Sequence, residues 1–141
     1  MEIIDLITTE SVVANLRATS KKQALQDLSR RTADITGLYE RTIFDVLMER
    51  ERLGTTGVGN GIAIPHGKSE YVAELGGVLG IKPQGIDFDS LDGKQAYIFF
   101  LLVSPMDVSG PHIKALARIS RLLKNDNFKK RLVATSTKEE I

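Results

Sequence analysis

With 141 residues the chain is long enough for one domain with its own core, and a net charge of +1 gives no global pull toward nucleic acid or an anionic membrane. It has no cysteine, which excludes disulfides, thiolate metal sites and a cysteine nucleophile. The longest strongly apolar run, Ile98 to Val103, is too short to insert across a bilayer, and Met1-Glu2-Ile3-Ile4-Asp5 lacks the basic start of a signal peptide, so the cytoplasm is the expected location.

In chain order, Ser11 to Ala18 reads as a strand through Val12, Val13 and Leu16. Ser20 is a good N-cap for a helix whose inward face is Ala24, Leu25, Leu28 and Ile35, closed by Gly37. A second helix is predicted from about Tyr39 to Arg52, with Ile43, Phe44, Leu47 and Met48 inward and Gly54 as its stop. A glycine-dense polar loop over 54–61 leads into a short strand ending at His66. Gly76 to Ile81 reads as a weak strand, with turns at Gln84-Gly85 and at Leu91-Asp92-Gly93-Lys94. Gln95 to Ser104 is almost wholly apolar, which predicts a central strand covered on both faces. Gly110-Pro111 opens a helix running through Ile113, Leu116, Ala117, Ser120 and Leu123, with Pro in the first turn. A short helix over Asn127 to Ala134 follows, and Ser136 begins a last N-capped helix that Ile141 cuts off. Strands intermixed with helices predict a single α/β domain over residues 1–141, layered helix–sheet–helix.

Gly61-Ile62-Ala63-Ile64-Pro65-His66-Gly67 carries the clearest chemical signal. Ile62 and Ile64 alternate with small residues as in a buried strand, Pro65 fixes the local backbone, and Gly67 leaves room beside the imidazole. A histidine presented in this way is a candidate nucleophile, because its neutral ring keeps a free nitrogen near pH 7. The neighbouring glycines do not make a nucleotide fingerprint. Gly57-x-Gly59-x-Gly61 follows a helix and precedes a strand, the reverse of the required context, and Gly61 and Gly67 enclose five residues where a phosphate loop has four. Gly59, Asn60, Gly61 and Gly67 are instead expected to pack backbone around an anionic group at His66.

His112, just after Pro111, sits where helix-start N–H groups favour an anion and a neutral imidazole. By itself it is equally a phosphoryl-binding residue or a capping one. Two histidines without further ligands at a recognisable spacing do not predict a metal site. Arg50 and Arg52 close the second helix, and either could swing toward His66 to neutralise oxyanions. Lys114, Arg118 and Arg121 form a stripe that is a solvated helix face or a surface for an acidic partner.

The stretch Glu51-Arg52-Leu53-Gly54-Thr55-Thr56-Gly57-Val58-Gly59-Asn60-Gly61-Ile62-Ala63-Ile64-Pro65-His66-Gly67-Lys68 resembles the active-site signature of mannitol/fructose-type (type 2) enzyme IIA domains of the bacterial phosphoenolpyruvate-dependent phosphotransferase system. The Gly-Asn-Gly-Ile-Ala-Ile-Pro-His-Gly-Lys form is most similar to the nitrogen-regulatory branch, and Ile86-Asp87-Phe88, Leu91-Asp92-Gly93 and Pro111-His112-Ile113-Lys114 extend the resemblance along the chain. The resemblance implies a three-layer α/β/α sandwich with a mixed central sheet. It implies a phosphoryl carrier with His66 as the acceptor, forming tele-phosphohistidine, His112 as the second active-site histidine, and Arg50 rather than Arg52 as the active-site arginine. The implied donor is a small HPr- or NPr-like phosphocarrier, with no ATP, metal or organic cofactor and no nucleic-acid partner. In the nitrogen branch the output is binding of regulatory targets; in the sugar-specific alternative it is transfer to an EIIB domain for fructose- or mannitol-type uptake.

Overall fold

The apolar run becomes the middle of the sheet. In the computed structural model, which describes residues 9–73, 75–106 and 109–134, strand β6 (Ala96–Ser104) is hydrogen-bonded on both sides and buried on both faces. Its neighbours are β5 (Gly76–Ile86), antiparallel, and two short parallel strands in succession, β3 (Ile62–Ala63) and β4 (His66–Lys68). β1 (Val12–Val13) lies parallel to β5, and β2 (Gly57–Gly59) pairs antiparallel with β3 at the other edge. The sheet is therefore six-stranded and mixed, in the order β1-β5-β6-β3-β2 with β4 also on β6.

Strand alternation sorts the core into two layers. Phe99, Leu101 and Val103 face one side and pack with Leu25 and Leu28 of α1 (Lys21–Thr36) and Ile43 and Leu47 of α2 (Glu40–Arg52). Ile98, Phe100 and Leu102 face the other side and pack with Ala115, Ile119 and Leu123 of α3 (Ser109–Leu123) and Leu132 of α4 (Asp126–Ala134). The expected α/β/α sandwich results, with each face of β6 covered by its own helix pair.

Local signals explain both ends of α1 and the start of α4. Ser20 has extended backbone and accepts a hydrogen bond from Gln23 N, while Gly37 closes α1 at φ 76° with its N–H on Ala33 O. Ser20→Ala is expected to cost about 1 kcal/mol of unfolding free energy in a urea titration. Asn125 Oδ1 accepts from Phe128 N at 3.0 Å and starts α4.

Several expectations are corrected. The first strand pairs only at Val12 and Val13, although Leu16 N still reaches Ile81 O at 2.8 Å; an edge strand needs few ladder bonds once Leu16 is buried. Ile35 is exposed, because the inward stripe of α1 continues through Ser29 and Thr32 instead. Phe44 and Met48 are half-buried beside the fully covered Ile43 and Leu47. Gln84-Gly85 is not a turn: β5 continues to Ile86 with a register shift between Ile81 and Ile86, and Gly85 takes φ 79°. The glycine-dense loop contains strand β2, joined to β3 by Asn60 (φ 57°) and Gly61 (φ 79°), the positive pair that a two-residue type I′ hairpin requires. α3 is turned from its expected phase, with His112, Ala115, Ile119 and Leu123 inward and Ile113 65% exposed. The helix expected from Ser136 lies outside the described residues.

Candidate active site

His66 opens β4 rather than ending a strand. β3 and β4 keep one register along β6, with Ile62 opposite Ile98 and His66 opposite Leu102. Pro65 falls in the gap between them, where its missing N–H breaks no ladder bond while its carbonyl accepts from Leu102 N at 2.9 Å. Ile62 and Ile64 belong to the α3–α4 layer of the core, so the period of two carries His66 onto the same face. There it meets His112, fourth residue of α3, with ring centroids 5.5 Å apart and planes tilted by 54°.

Both rings are anchored through Nδ1. His66 Nδ1 lies 2.7 Å from the carbonyl oxygen of Ile64. A carbonyl only accepts, so Nδ1 carries the proton and the neutral ring keeps its lone pair on Nε2. His112 Nδ1 lies 2.5 Å from Ser104 Oγ, in a pocket that leaves the residue 5% exposed. Burial lowers the His66 pKa, helped by the Arg50 cation and opposed by the Ile64 hydrogen bond and the Glu51 carboxylate. Burial also drives His112 down to about 4, with further contributions from His66 and Lys68. Both imidazoles are therefore neutral at pH 7.

The geometry separates the two arginines. Arg50 Nη1 donates to Gly54 O at 2.8 Å, and its charge is near enough to act on His66. Arg52 instead pairs with Glu49 at 2.5 Å on the outer surface. Lys68 shares the strand face of His66 by alternation, and its charge reaches His112. Lys114, Arg118 and Arg121 are exposed along α3.

Gly59, Asn60 and Gly61 are not brought to His66. Gly61 O accepts from Tyr97 N and Ile98 N, and Leu102, opposite His66, is four residues beyond Ile98, about 13 Å away at strand rise. Asn60 N donates to Asp92 Oδ2 at 3.0 Å and Asn60 O accepts from Lys129 Nζ at 2.7 Å. The hairpin thus borders a separate cavity of about 570 Å³ between α4 and the far end of β6. Gly67 is adjacent to His66, but it serves the opposite face: a Cβ there would collide with Val46 Cγ1 of α2. Gly67→Ala is expected to destabilise the fold by about 1–3 kcal/mol. Val46→Ala in the same chain should recover most of that loss in a denaturation midpoint.

Sequence reasoning passed over Glu51 and Ser104. Glu51 is a carboxylate in the last turn of a helix, where the dipole disfavours anions, and that mismatch was the available signal. Its side chain is 4% exposed and binds Lys21 Nζ at 2.8 Å and Thr56 N at 3.1 Å. Ser104 closes an apolar strand and gave no such cue.

Comparison with known proteins shows the family to which this fold belongs. The family model described as "Phosphoenolpyruvate-dependent sugar phosphotransferase system, EIIA 2" matches residues 5–141. A nitrogen regulatory protein of Bradyrhizobium diazoefficiens is 44% identical over 141 residues, covering all of this chain and 92% of that protein. A fructose-specific EIIABC component of Bacillus subtilis is 28% identical over the whole chain, which spans 22% of that longer protein. The crystal structure of nitrogen regulatory protein IIA-Ntr from Neisseria meningitidis superposes with a TM-score of 0.92 at 28% identity, covering 98% of this chain and 94% of that one. The paired histidines on β4 and α3 thus lie in a chain that belongs to the EIIA type 2 family of the phosphoenolpyruvate-dependent phosphotransferase system.

Proposed function

We propose that the protein is a phosphoryl carrier of nitrogen-regulatory type, accepting phosphate on His66 Nε2 from the phosphohistidine of a small HPr- or NPr-like carrier. The observation that carries this reading is the Nδ1 hydrogen bond to Ile64 O, which leaves Nε2 as the nucleophilic nitrogen of a neutral ring beside His112. In the transfer, the Nε2 lone pair forms the new N–P bond while the donor's N–P bond breaks and its electron pair returns to the donor imidazole. Such a transition state is loose and in line, so alignment and charge stabilisation carry the rate. Arg50 supplies a fixed positive charge. His112 Nδ1 lies 2.5 Å from Ser104 Oγ; with the hydroxyl as donor in that pair, the neutral ring carries its proton on Nε2 and can give that N–H to a phosphoryl oxygen. The result is a phosphorylation-dependent switch for regulatory partners.

Incubation with phosphoenolpyruvate, enzyme I and the donor carrier should label the chain with acid-labile, base-stable phosphate. Arg50→Ala should slow labelling by about 10²-fold without a matching loss of stability, because a helix-end arginine stabilises little. Arg52→Ala should be close to wild type, and an equal loss there would contradict the assignment. The likeness to a fructose-specific EIIABC component favours one second reading, a sugar-specific EIIA. Rapid transfer from the labelled chain to a purified fructose-type EIIB domain would select it.

A further inference from the structure

The turn that joins α2 to β2 is tied at both ends by consecutive residues of the last helical turn. Arg50 holds one end, its guanidinium donating to Gly54 O at 2.8 Å. Glu51 holds the other: its carboxylate accepts from Thr56 N at 3.1 and 3.2 Å, from the Thr56 hydroxyl, and from Lys21 Nζ at 2.8 Å. Two backbone bonds close the start of the turn, Leu53 N to Arg50 O and Gly54 N to Glu51 O, both 3.1 Å. Lys21 itself is the first residue of α1, lies over the Phe88 ring at 5.0 Å and also reaches Asp89 at 3.6 Å. One buried carboxylate therefore joins the end of α2, the start of α1 and the β2 approach.

A purely architectural role would be met more cheaply by apolar packing, since a buried charge requires every one of these partners. What this carboxylate adds is a fixed position for residues 54–56, and with it for the carbonyl that holds the guanidinium. We propose that Glu51 is a positioning residue for phosphoryl transfer: bound by Lys21 and Thr56, it fixes the 53–56 turn so that Gly54 O keeps Arg50 beside His66. This rests on the phosphocarrier reading above. Misplacement of a charge-stabilising group by about 1 Å can cost about 10²-fold in rate, so the effect belongs in turnover rather than in donor affinity.

Glu51→Gln keeps the shape and an accepting oxygen but removes the charge that Lys21 requires. In the phosphocarrier assay it should lower kcat about 10- to 100-fold with KM for the donor carrier nearly unchanged. Arg50→Ala/Glu51→Gln should be no slower than Arg50→Ala alone, because the glutamate acts through the arginine. Thr56→Val, a milder cut of the same network, should lower kcat about tenfold, and Thr56→Ser should restore it; this pair decides the matter if Glu51→Gln does not fold. Wild-type kcat in folded Glu51→Gln, or in Thr56→Val, would overturn the proposal, as would fully additive losses with Arg50→Ala. A wild-type protein that takes no label would instead overturn the phosphocarrier reading, and this one with it.

Discussion

Replacing His66 with alanine is expected to abolish phosphate labelling, because no other neutral imidazole nitrogen in the described site is both unprotonated and turned toward a partner. His112 is nearest, 5.5 Å away between centroids, but its Nδ1 is tied to Ser104 and the residue is almost fully covered. The variant should remain folded. His66 is half-buried, and its ring hydrogen-bonds to the Ile64 carbonyl, which water can satisfy. The expected result is therefore complete loss of label with a nearly unchanged denaturation midpoint. Label persisting in His66→Ala would move the acceptor elsewhere.

The second large effect is a loss of stability on acidification through His112. Its pKa falls from 6.5 to about 4 on folding, so the unfolded chain binds a proton in that window and the native chain does not. Native stability is then intact above pH 6.5 and is lost as pH falls toward 4, by up to about 3 kcal/mol for this group. His66 contributes in the same direction, since its pKa is also lowered, first by burial. Urea midpoints at pH 7 and pH 4 for the wild type and His112→Gln isolate the term, because the carboxylates titrate in both. The wild type should lose about 3 kcal/mol more than the variant over that interval. Equal losses would mean that His112 is charged, or solvated, in the native protein. The lowered His66 pKa also moves the acid limb of the transfer rate below the pH at which an unperturbed histidine would be half protonated.

The parts of the fold that were legible in sequence are those where one strong local cause acts alone. The apolar run of β6 allowed no environment but a two-sided core, and Ser20 and Gly37 fixed the ends of α1 through backbone chemistry. The phase of α3 is not legible, because Ala115 and Ala117 are equally apolar and only packing against β6 decides that Ala115 is inward and Ile113 outward. The phase matters for the site, since it is the one that buries His112 against the sheet. Asn60-Gly61 carries a strong hairpin signal, yet the surrounding glycines masked it as loop.

The site divides in the same way. His66 was marked by the chain around it, though for partly different reasons than expected: Pro65 sits at a gap in the ladder, and Gly67 makes room for Val46. Proximity in sequence places the 59–61 glycines at the anion, but a strand carries residues about 3.3 Å apart in a straight line, which takes them to the other end of β6. Glu51 and Ser104 were missed because a partner's identity is a tertiary fact. Neither Lys21 nor Thr56 is predictable as the ligand of a helix-end glutamate, and nothing in Ser104 itself names His112.

The central claim is that one particular nitrogen is poised for attack. Long-range 1H–15N correlation spectra of the chain, recorded before and after phosphorylation by the donor carrier, test it most directly. The hydrogen bond to Ile64 predicts that free His66 is the Nδ1–H tautomer and that the phosphoryl group appears on Nε2 of His66 alone. A phosphoryl group on Nδ1 of His66, or on either nitrogen of His112, would contradict it.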